Sequence, residues 1–343
     1  MQDEEQEHIE DQSEELFEHY TFTADKGQEM VRIDKFLMDR MPNTSRNRIQ
    51  NSCKSGNVLV NKVPIKQNYK VKPEDTISIV MSYPIREIEL IPENIPIDIV
   101  YEDDDLAVVY KPANMVVHPA YGNYTGTLVN AMMYHFQSLP EKKEGFYGRP
   151  GLVHRIDKHT TGLLVIAKTE NALTNLAKQF FEKTTKRKYW ALVWGSVKED
   201  EGTITNYLGR SHKNRKIITV FDSEEDGKLA ITHYKVIERF RYFTLVECVL
   251  ETGRTHQIRV HMKHIGHPLF HDLEYGGDSV LVGPNTANYK QFVKNCFNLI
   301  VGQALHAKTL GFIHPTTKQE MIFESDIPEG FNLILEKIKK FND

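Results

Sequence analysis

The sequence predicts an α+β protein in two parts, a small basic α/β module followed by a larger domain built on a mixed, mainly antiparallel sheet. Three observations carry this reading. Beyond residue 97, strand-length apolar runs such as LLVIAK, YWALVWG, ITVF, AITHYKVI and FTLVECVLETG mix irregularly with a few helical stretches. No regular strand–helix repeat calls for a parallel sheet. Charge is partitioned along the chain: residues 1–30 hold 11 acidic and 1 basic side chain, residues 31–80 hold 4 and 10, and residues 81–343 hold 32 and 32. A compact positive segment inside an overall net charge of −4 is the footprint of a module that meets phosphates. Between the two parts, residues 82–96 (SYPIREIELIPENIP) carry three prolines and little periodicity, as a connecting arm would.

The elements follow in order. Residues 1–30, and 1–19 above all, are too acidic and too poor in apolar residues to pack alone, and are expected to form a mobile tail. Over 31–81, Ile33, Phe36, Leu37 and Met41 fall on helical spacing, with Pro42 closing that helix. Thr44 or Ser45 can cap a second helix running to about Lys54, and Gly56 stops it. Val58 to Val60, a tight turn at Asn61-Lys62, a return from Val63 to Lys66 and a third strand from Ile77 to Met81 complete the module. Arg46, Arg48, Lys54 and Lys62 lie on the second helix and the hairpin, where they can face one phosphate backbone; a merely solvated basic face is the alternative. The second domain, 97–343, opens with a hairpin around Glu102 to Asp105 and contains helices over Asn171–Lys183, Thr255–Ile265 and Glu329–Phe341.

Composition narrows the function classes. With 343 residues, 40% of them hydrophobic, the chain can bury a large core. Three cysteines far apart in the sequence cannot staple a chain of this length, which fits a reducing compartment. The first thirty residues are not a secretory signal, and no apolar run approaches the ~18 residues that span a bilayer. A soluble cytoplasmic protein is expected.

Two polar clusters hold the candidate chemistry. In GLVHRIDKHTTGLLVIAK, residues 151–168, a loop of charged and hydroxyl residues precedes an apolar strand, with Asp157 at its centre between Arg155 and Lys158. Asp157 is either a catalytic carboxylate or the start of a turn with Thr160 and Thr161. In ETGRTHQIRVHMKHIGHPLFHD, residues 251–272, five histidines accompany Arg254, Arg259 and Lys263. There is no HExxH arrangement and no cysteine in register, so no metal is expected. On a helix from Thr255, Arg259 can reach inward to a carboxylate. No glycine-rich phosphate loop or dinucleotide fingerprint is present, and no cofactor is expected.

Taken with their order, these segments carry a resemblance. HRIDKHTTG resembles the central HRLDxxTSG motif of the RluA family of pseudouridine synthases, with Ile156 for Leu and Thr161 for Ser. KPANMVVHP (111–119), RKYWALVWG (187–195), GRTHQIRVHMKHIGHPLFHDLEYG (253–276) and LHAKTLGFIHP (305–315) match the remaining motifs in sequence, so the likeness runs from about Tyr101 to Pro315. Residues 31–81 are similar to the small RNA-binding domain of the ribosomal small-subunit protein S-four. The resemblance implies the pseudouridine synthase fold and the isomerisation of uridine in RNA without a cofactor. It gives Asp157 the role of essential carboxylate, Arg259 that of its ion-pair partner, Tyr189 that of a ring against the target base and Leu305 a place in the pocket wall. Arg155 is expected to fill the space left by a flipped nucleotide or to bind a flanking phosphate. The layout looks most like members acting on 23S ribosomal RNA; a transfer-RNA enzyme and a non-catalytic RNA-binding or ribosome-assembly factor are the alternatives. A monomer suffices for this chemistry.

Overall fold

The computed structural model describes residues 16–41, 44–81, 90–120, 122–136, 138–140, 149–214 and 217–342. Residues 1–15 of the expected tail, Pro42 as a helix stop and residues 82–89 of the connecting arm lie outside them. The chain divides into two compact units, Met1–Glu89 and Leu90–Asp343.

The first unit contains β1 (Phe17–Thr23), α1 (Ile33–Arg40), α2 (Arg46–Lys54), β2 (Val58–Val60), β3 (Val63–Pro64) and β4 (Thr76–Met81), with strand order β1-β4-β2-β3. Its core joins Ile33, Phe36 and Leu37 of α1 to Ile49 and Cys53 of α2 and to Val58, Val60, Ile77 and Ile79 of the sheet. Ser45 caps α2 by accepting from the backbone N–H of Arg48. Asn61 and Lys62 both take positive φ, 50° and 69°, the backbone of a two-residue type I′ hairpin turn.

Residues 17–23 correct the expected tail. They pair antiparallel with β4, Phe22 opposite Ile77, and place Phe22 against the core. An alternating FEHYTFT segment is a half-buried strand whatever the charge of the residues before it. Averaging charge over thirty residues hid it.

The second unit holds β5 (Asp98–Glu102), β6 (Leu106–Lys111), α3 (Leu128–His135), β7 (Thr161–Ala167), α4 (Glu170–Glu182), β8 (Lys186–Trp194) and β9 (Glu201–Arg210). After these come β10 (Ile218–Phe221), β11 (Lys228–Arg239), β12 (Phe243–Leu250), α5 (Gln257–His264), α6 (Ala287–Phe297), β13 (Leu305–Ile313), β14 (Glu320–Glu324) and α7 (Glu329–Asn342). The ten strands form one sheet in the order β10-β9-β11-β12-β8-β13-β7-β6-β5, with β14 on β13. The β13–β7 pair is parallel and the other ladders of this sheet are antiparallel, which is the mixed sheet expected.

Period-two alternation sorts the centre of the sheet into two buried faces. Ala107, Val109, Leu164, Ile166, Tyr189, Ala191 and Val193 pack with Leu128 and Met132 of α3 and Ile258 and Met262 of α5. Facing the other way, Leu106, Val108, Leu163 and Val165 pack with Leu173 and Leu176 of α4, while Leu192 and Trp194 pack with α6 and α7. Capping residues fix where the helices begin: Thr127 with Asn130 for α3, Thr169 for α4 and Thr286 for α6. The start of β7, and hence the loop before it, is locked by Gly162. At φ 111° a Cβ there would lie 2.3 Å from the carbonyl oxygen of Ala307 in β13.

Candidate active site

The loop that precedes β7 opens into a cavity of about 570 Å³, walled by residues 153–157 and Thr160, the end of α4, the start of β8, the turn from β12 into α5, and Leu305 at the start of β13. Asp157, Arg155, Tyr189, Arg259 and Leu305 all line it. They come from four separate stretches, and the topology brings them together because β7, β13, β8 and β12 are near neighbours in the sheet.

Three fasteners hold the loop. Lys111, fully buried at the end of β6, donates to the carbonyls of Pro112, Met115 and Lys158 at 2.7, 2.9 and 3.0 Å. Burial pushes its ammonium down to about 7, while the charge of Asp157 works the other way. Thr160 Oγ1 accepts from Gln303, and Thr161 Oγ1 is 2.8 Å from His306 Nδ1. The turn expected of Asp157 and Thr160 is also present, since Thr160 N–H donates to the Asp157 carbonyl. Turn and carboxylate are therefore not alternatives: the backbone of Asp157 makes the turn while its side chain, 19% exposed, stays in the cavity.

Arg259 reaches Asp157 less directly than the resemblance implies. Its Nη1 is 3.4 Å from Asp157 Oδ2, whereas Nε and Nη2 each donate to Asp272 at 2.7 Å, and Nη2 also donates to Glu274 at 2.7 Å. The expected ion pair with Asp157 is present, and Asp272 and Glu274 hold the same guanidinium at shorter distance. Asp272 is completely buried and also accepts from the backbone N–H groups of Glu274 and Tyr275, so it presents two fixed oxygens to the guanidinium fork. Burial opposes the charge on Arg259, but Asp272, followed by Asp157 and Glu274, more than offsets it and holds the group protonated. One free corner of the fork then faces Asp157.

On the other side of Asp157 is His256, at left-handed φ 55° before α5. Its Nε2 lies 4.0 Å from Asp157 Oδ1, and its Nδ1 lies 2.7 Å from the Tyr275 hydroxyl. That hydroxyl also accepts from the Ile218 N–H, and His256 Nδ1 lies 3.8 Å from Glu274. Burial lowers the pKa of His256 and the charge of Asp157 raises it, the former prevailing. Behind it Gln257 is fully engaged, accepting from Thr252 and Arg254 and donating to Ile231 and Thr232.

Tyr189, 7% exposed, projects from β8 onto the cavity. Burial raises its pKa, so it is a phenol at neutral pH. Its hydroxyl has no protein partner among the described residues. His154 is a structural histidine: Nε2 accepts from Val165 N–H, the ring stacks on Phe180 at 4.3 Å, and burial pushes it down to about 3. Among the described residues no three metal-ligating side chains converge.

The basic residues of the first unit divide. Arg48, Lys54 and Lys62 are exposed, but Arg46 donates from Nε to Asp34 at 2.9 Å and helps neutralise that buried carboxylate. The residues that sequence reasoning missed are Asp272, Glu274, Tyr275 and Lys111. Each lies inside a matched motif, yet none carries a local signal of what it touches.

The profile of the RNA pseudouridylate synthase family matches residues 105–264, and that of the S4 domain matches residues 31–77. A protein of Chlorobaculum parvum described as an RNA pseudouridine synthase is 46% identical over 93% of this chain and 97% of its own. The ribosomal large subunit pseudouridine synthase D of Zymomonas mobilis is 40% identical over 91% of this chain and 95% of its own. Among solved structures, human RNA Pseudouridylate Synthase Domain Containing 4 superposes with a TM-score of 0.53 at 22% identity, covering 71% of this chain and 93% of that one; this likeness concerns the fold. The relatives match nearly end to end, and the family profile spans both the loop of Asp157 and the helix of Arg259: the chain belongs to the RNA pseudouridylate synthase family and is an isomerase of that kind with an S4 domain at its N-terminal end.

Proposed function

We propose that the protein converts uridines of large-subunit (23S) ribosomal RNA to pseudouridine in the cytoplasm, with Asp157 as the catalytic carboxylate. The observation that carries the site assignment is the placement of the Asp157 carboxylate in a cavity wall between the clamped Arg259 guanidinium and the His256 imidazole, with Tyr189 beside it. The choice of RNA is supported by relatives named for the ribosomal large subunit, at about 40% identity over most of the chain.

The reaction breaks the C1′–N1 bond, turns the uracil and joins C1′ to C5; C5 loses a proton and N1 gains one, so no atom enters or leaves. A carboxylate can serve by attacking C1′ or by taking the C2′ proton to give a glycal. Either role needs the charged form inside a water-poor cavity, and Arg259 supplies the compensating charge. Tyr189 stays protonated, which suits a ring stacked on the base with a hydroxyl free to donate to it. Leu305 excludes water beside it. An exposed Arg155 at the mouth is placed to occupy the gap left by the flipped nucleotide or to meet a flanking phosphate. Arg48, Lys54 and Lys62 dock RNA, with Arg46 contributing the part of its guanidinium not taken by Asp34. One copy of the chain holds every group named, so a monomer suffices.

The test is pseudouridine mapping of total RNA from cells lacking the gene, complemented with wild type or Asp157→Asn. Loss of specific large-subunit ribosomal sites, restored by wild type alone, is the expected result. Sites lost from transfer RNA would keep the chemistry and reject the substrate. Restoration by Asp157→Asn would reject the catalytic role.

A further inference from the structure

Phe181 is 86% exposed, in the last turn of α4, and lines the cavity that holds Asp157. Its neighbour Phe180 accounts for the fold at this point, stacking on His154 and lying under the Arg187 guanidinium at 5.4 Å. Successive helical residues are about 100° apart, so only one of the two rings can join the buried stripe of Ala172, Leu173, Leu176 and Phe180. Phe181 is left in water at a position where a lysine or glutamate would be the better helix former. Single exposed apolar residues are ordinary on protein surfaces. This one differs in what surrounds it.

Arg155, Lys183, Arg187 and Arg254 line the same cavity, and among the described residues none of them forms an ion pair with a carboxylate. The Nε of Arg187 is a buried donor without a partner. Including Arg259, five basic side chains face two carboxylates, Asp157 and Glu251, and the latter is held by His233. An exposed ring set among cations without carboxylate partners is a poor seat for an apolar protein surface. It suits a strand of nucleic acid, whose phosphates meet the cations while a base lies on the ring.

We propose that Phe181 is a stacking platform for an unpaired nucleobase flanking the target uridine. This rests on the reading of the cavity as the uridine site. Bases inside an RNA helix offer no free face, so the platform selects targets whose flanking nucleotide is looped out or opened together with the uridine. Phe181 is thereby a residue of substrate choice and not of bond making.

The experiment uses the full chain and an RNA stem-loop taken from a mapped site, with KM and kcat measured for wild type, Phe181→Ala, Phe181→Leu and Phe181→Trp. Loss of one base–aromatic stack corresponds to roughly a 5- to 150-fold rise in KM. That rise is expected for Phe181→Ala and Phe181→Leu, with kcat changed by less than about twofold and the melting temperature unmoved, while Phe181→Trp behaves as wild type. The added tryptophan should be quenched by this RNA beyond any change in the wild-type chain, and not by the same RNA with an abasic site beside the uridine. An unchanged KM in Phe181→Ala, full recovery by Phe181→Leu, or quenching that ignores the abasic site would each overturn the platform. Asp157→Asn, run alongside, separates the two ideas: if it remains active the site itself is misassigned, and if it is inactive an indifferent Phe181 sinks the platform alone.

Discussion

Asp272 holds Arg259 through two 2.7 Å hydrogen bonds, whereas Arg259 meets Asp157 through one of 3.4 Å. The closer pair is buried; the longer one lies in the cavity wall. Arg259 is therefore an oriented charge, set by Asp272 and offered to Asp157. Removing the orienting partner leaves a buried guanidinium with poorer compensation. Asp272→Asn should lose about 3 kcal/mol in denaturant unfolding and, through misplacement of the fork, about 100-fold in kcat. Loss of stability with kcat intact would show that Arg259 does not need the clamp.

Asp157→Asn is expected to behave in the opposite way. Its ion pair is the longer of the two and Arg259 keeps Asp272 and Glu274 as partners, so stability should change by less than about 1 kcal/mol. Release of the C5 proton from RNA labelled at that position should fall to background. A large drop in melting temperature would mean that the carboxylate holds the loop and not only the substrate.

In the first unit Asp34 has no exposure and accepts from Arg32, Arg46 and Gln50. Burial by itself would raise its pKa, but these donors win and the value in the folded protein lies well below the ordinary one. Since the unfolded chain then binds the proton more readily, the stabilisation is complete above the ordinary carboxylate value of about 4 and is lost as pH falls from there through the folded value. Hydrogen exchange in α1 and α2 of the full chain should show a gap between wild type and Asp34→Asn that is constant from pH 7 to about 5 and narrows below about 4. A gap that persists at the lowest pH would mean that packing, not charge, sets the difference.

RNA affinity should depend steeply on salt if the exposed cations of the first unit dock phosphates. Replacing Arg48, Lys54 and Lys62 together by glutamine should flatten the plot of log affinity against log salt by about one unit per lost phosphate contact. Arg46→Gln belongs in a separate measurement, because it also releases Asp34. An unchanged slope in the triple variant would remove these residues from the interface.

Gly162→Ala tests the fastening of the Asp157 loop. A methyl group 2.3 Å from a backbone oxygen cannot be accommodated without moving β13 against β7. The cost should exceed about 2 kcal/mol by urea titration, and the surviving folded protein should turn over slowly. A variant as stable as wild type would show that the two strands can part.

How much of this was legible in the sequence depended on whether a signal is local. Helix α4 announces itself by Leu173, Leu176 and Phe180, and the Asp157 loop by the dense polar run before an apolar strand. The pair of Arg259 with Asp272 does not, because the two stand 13 residues apart on either side of a turn and only the folded backbone aims them at each other. Periodicity puts one of Phe180 and Phe181 on the core face without saying what the other meets. β1 escaped because seven alternating residues follow a strongly acidic stretch, and charge averaged over a long window outweighs pattern over a short one.

The loop of Asp157 is fastened by Lys111 from the strand before it and by Gln303 and His306, which follow it by more than 140 residues. During synthesis the carboxylate emerges long before Gln303 and His306, two of the three residues that fix its loop. A ribosome therefore releases no working site ahead of the finished sheet, and a growing chain surrounded by RNA at the moment of its birth cannot act on that RNA until β13 has taken its place between β7 and β8.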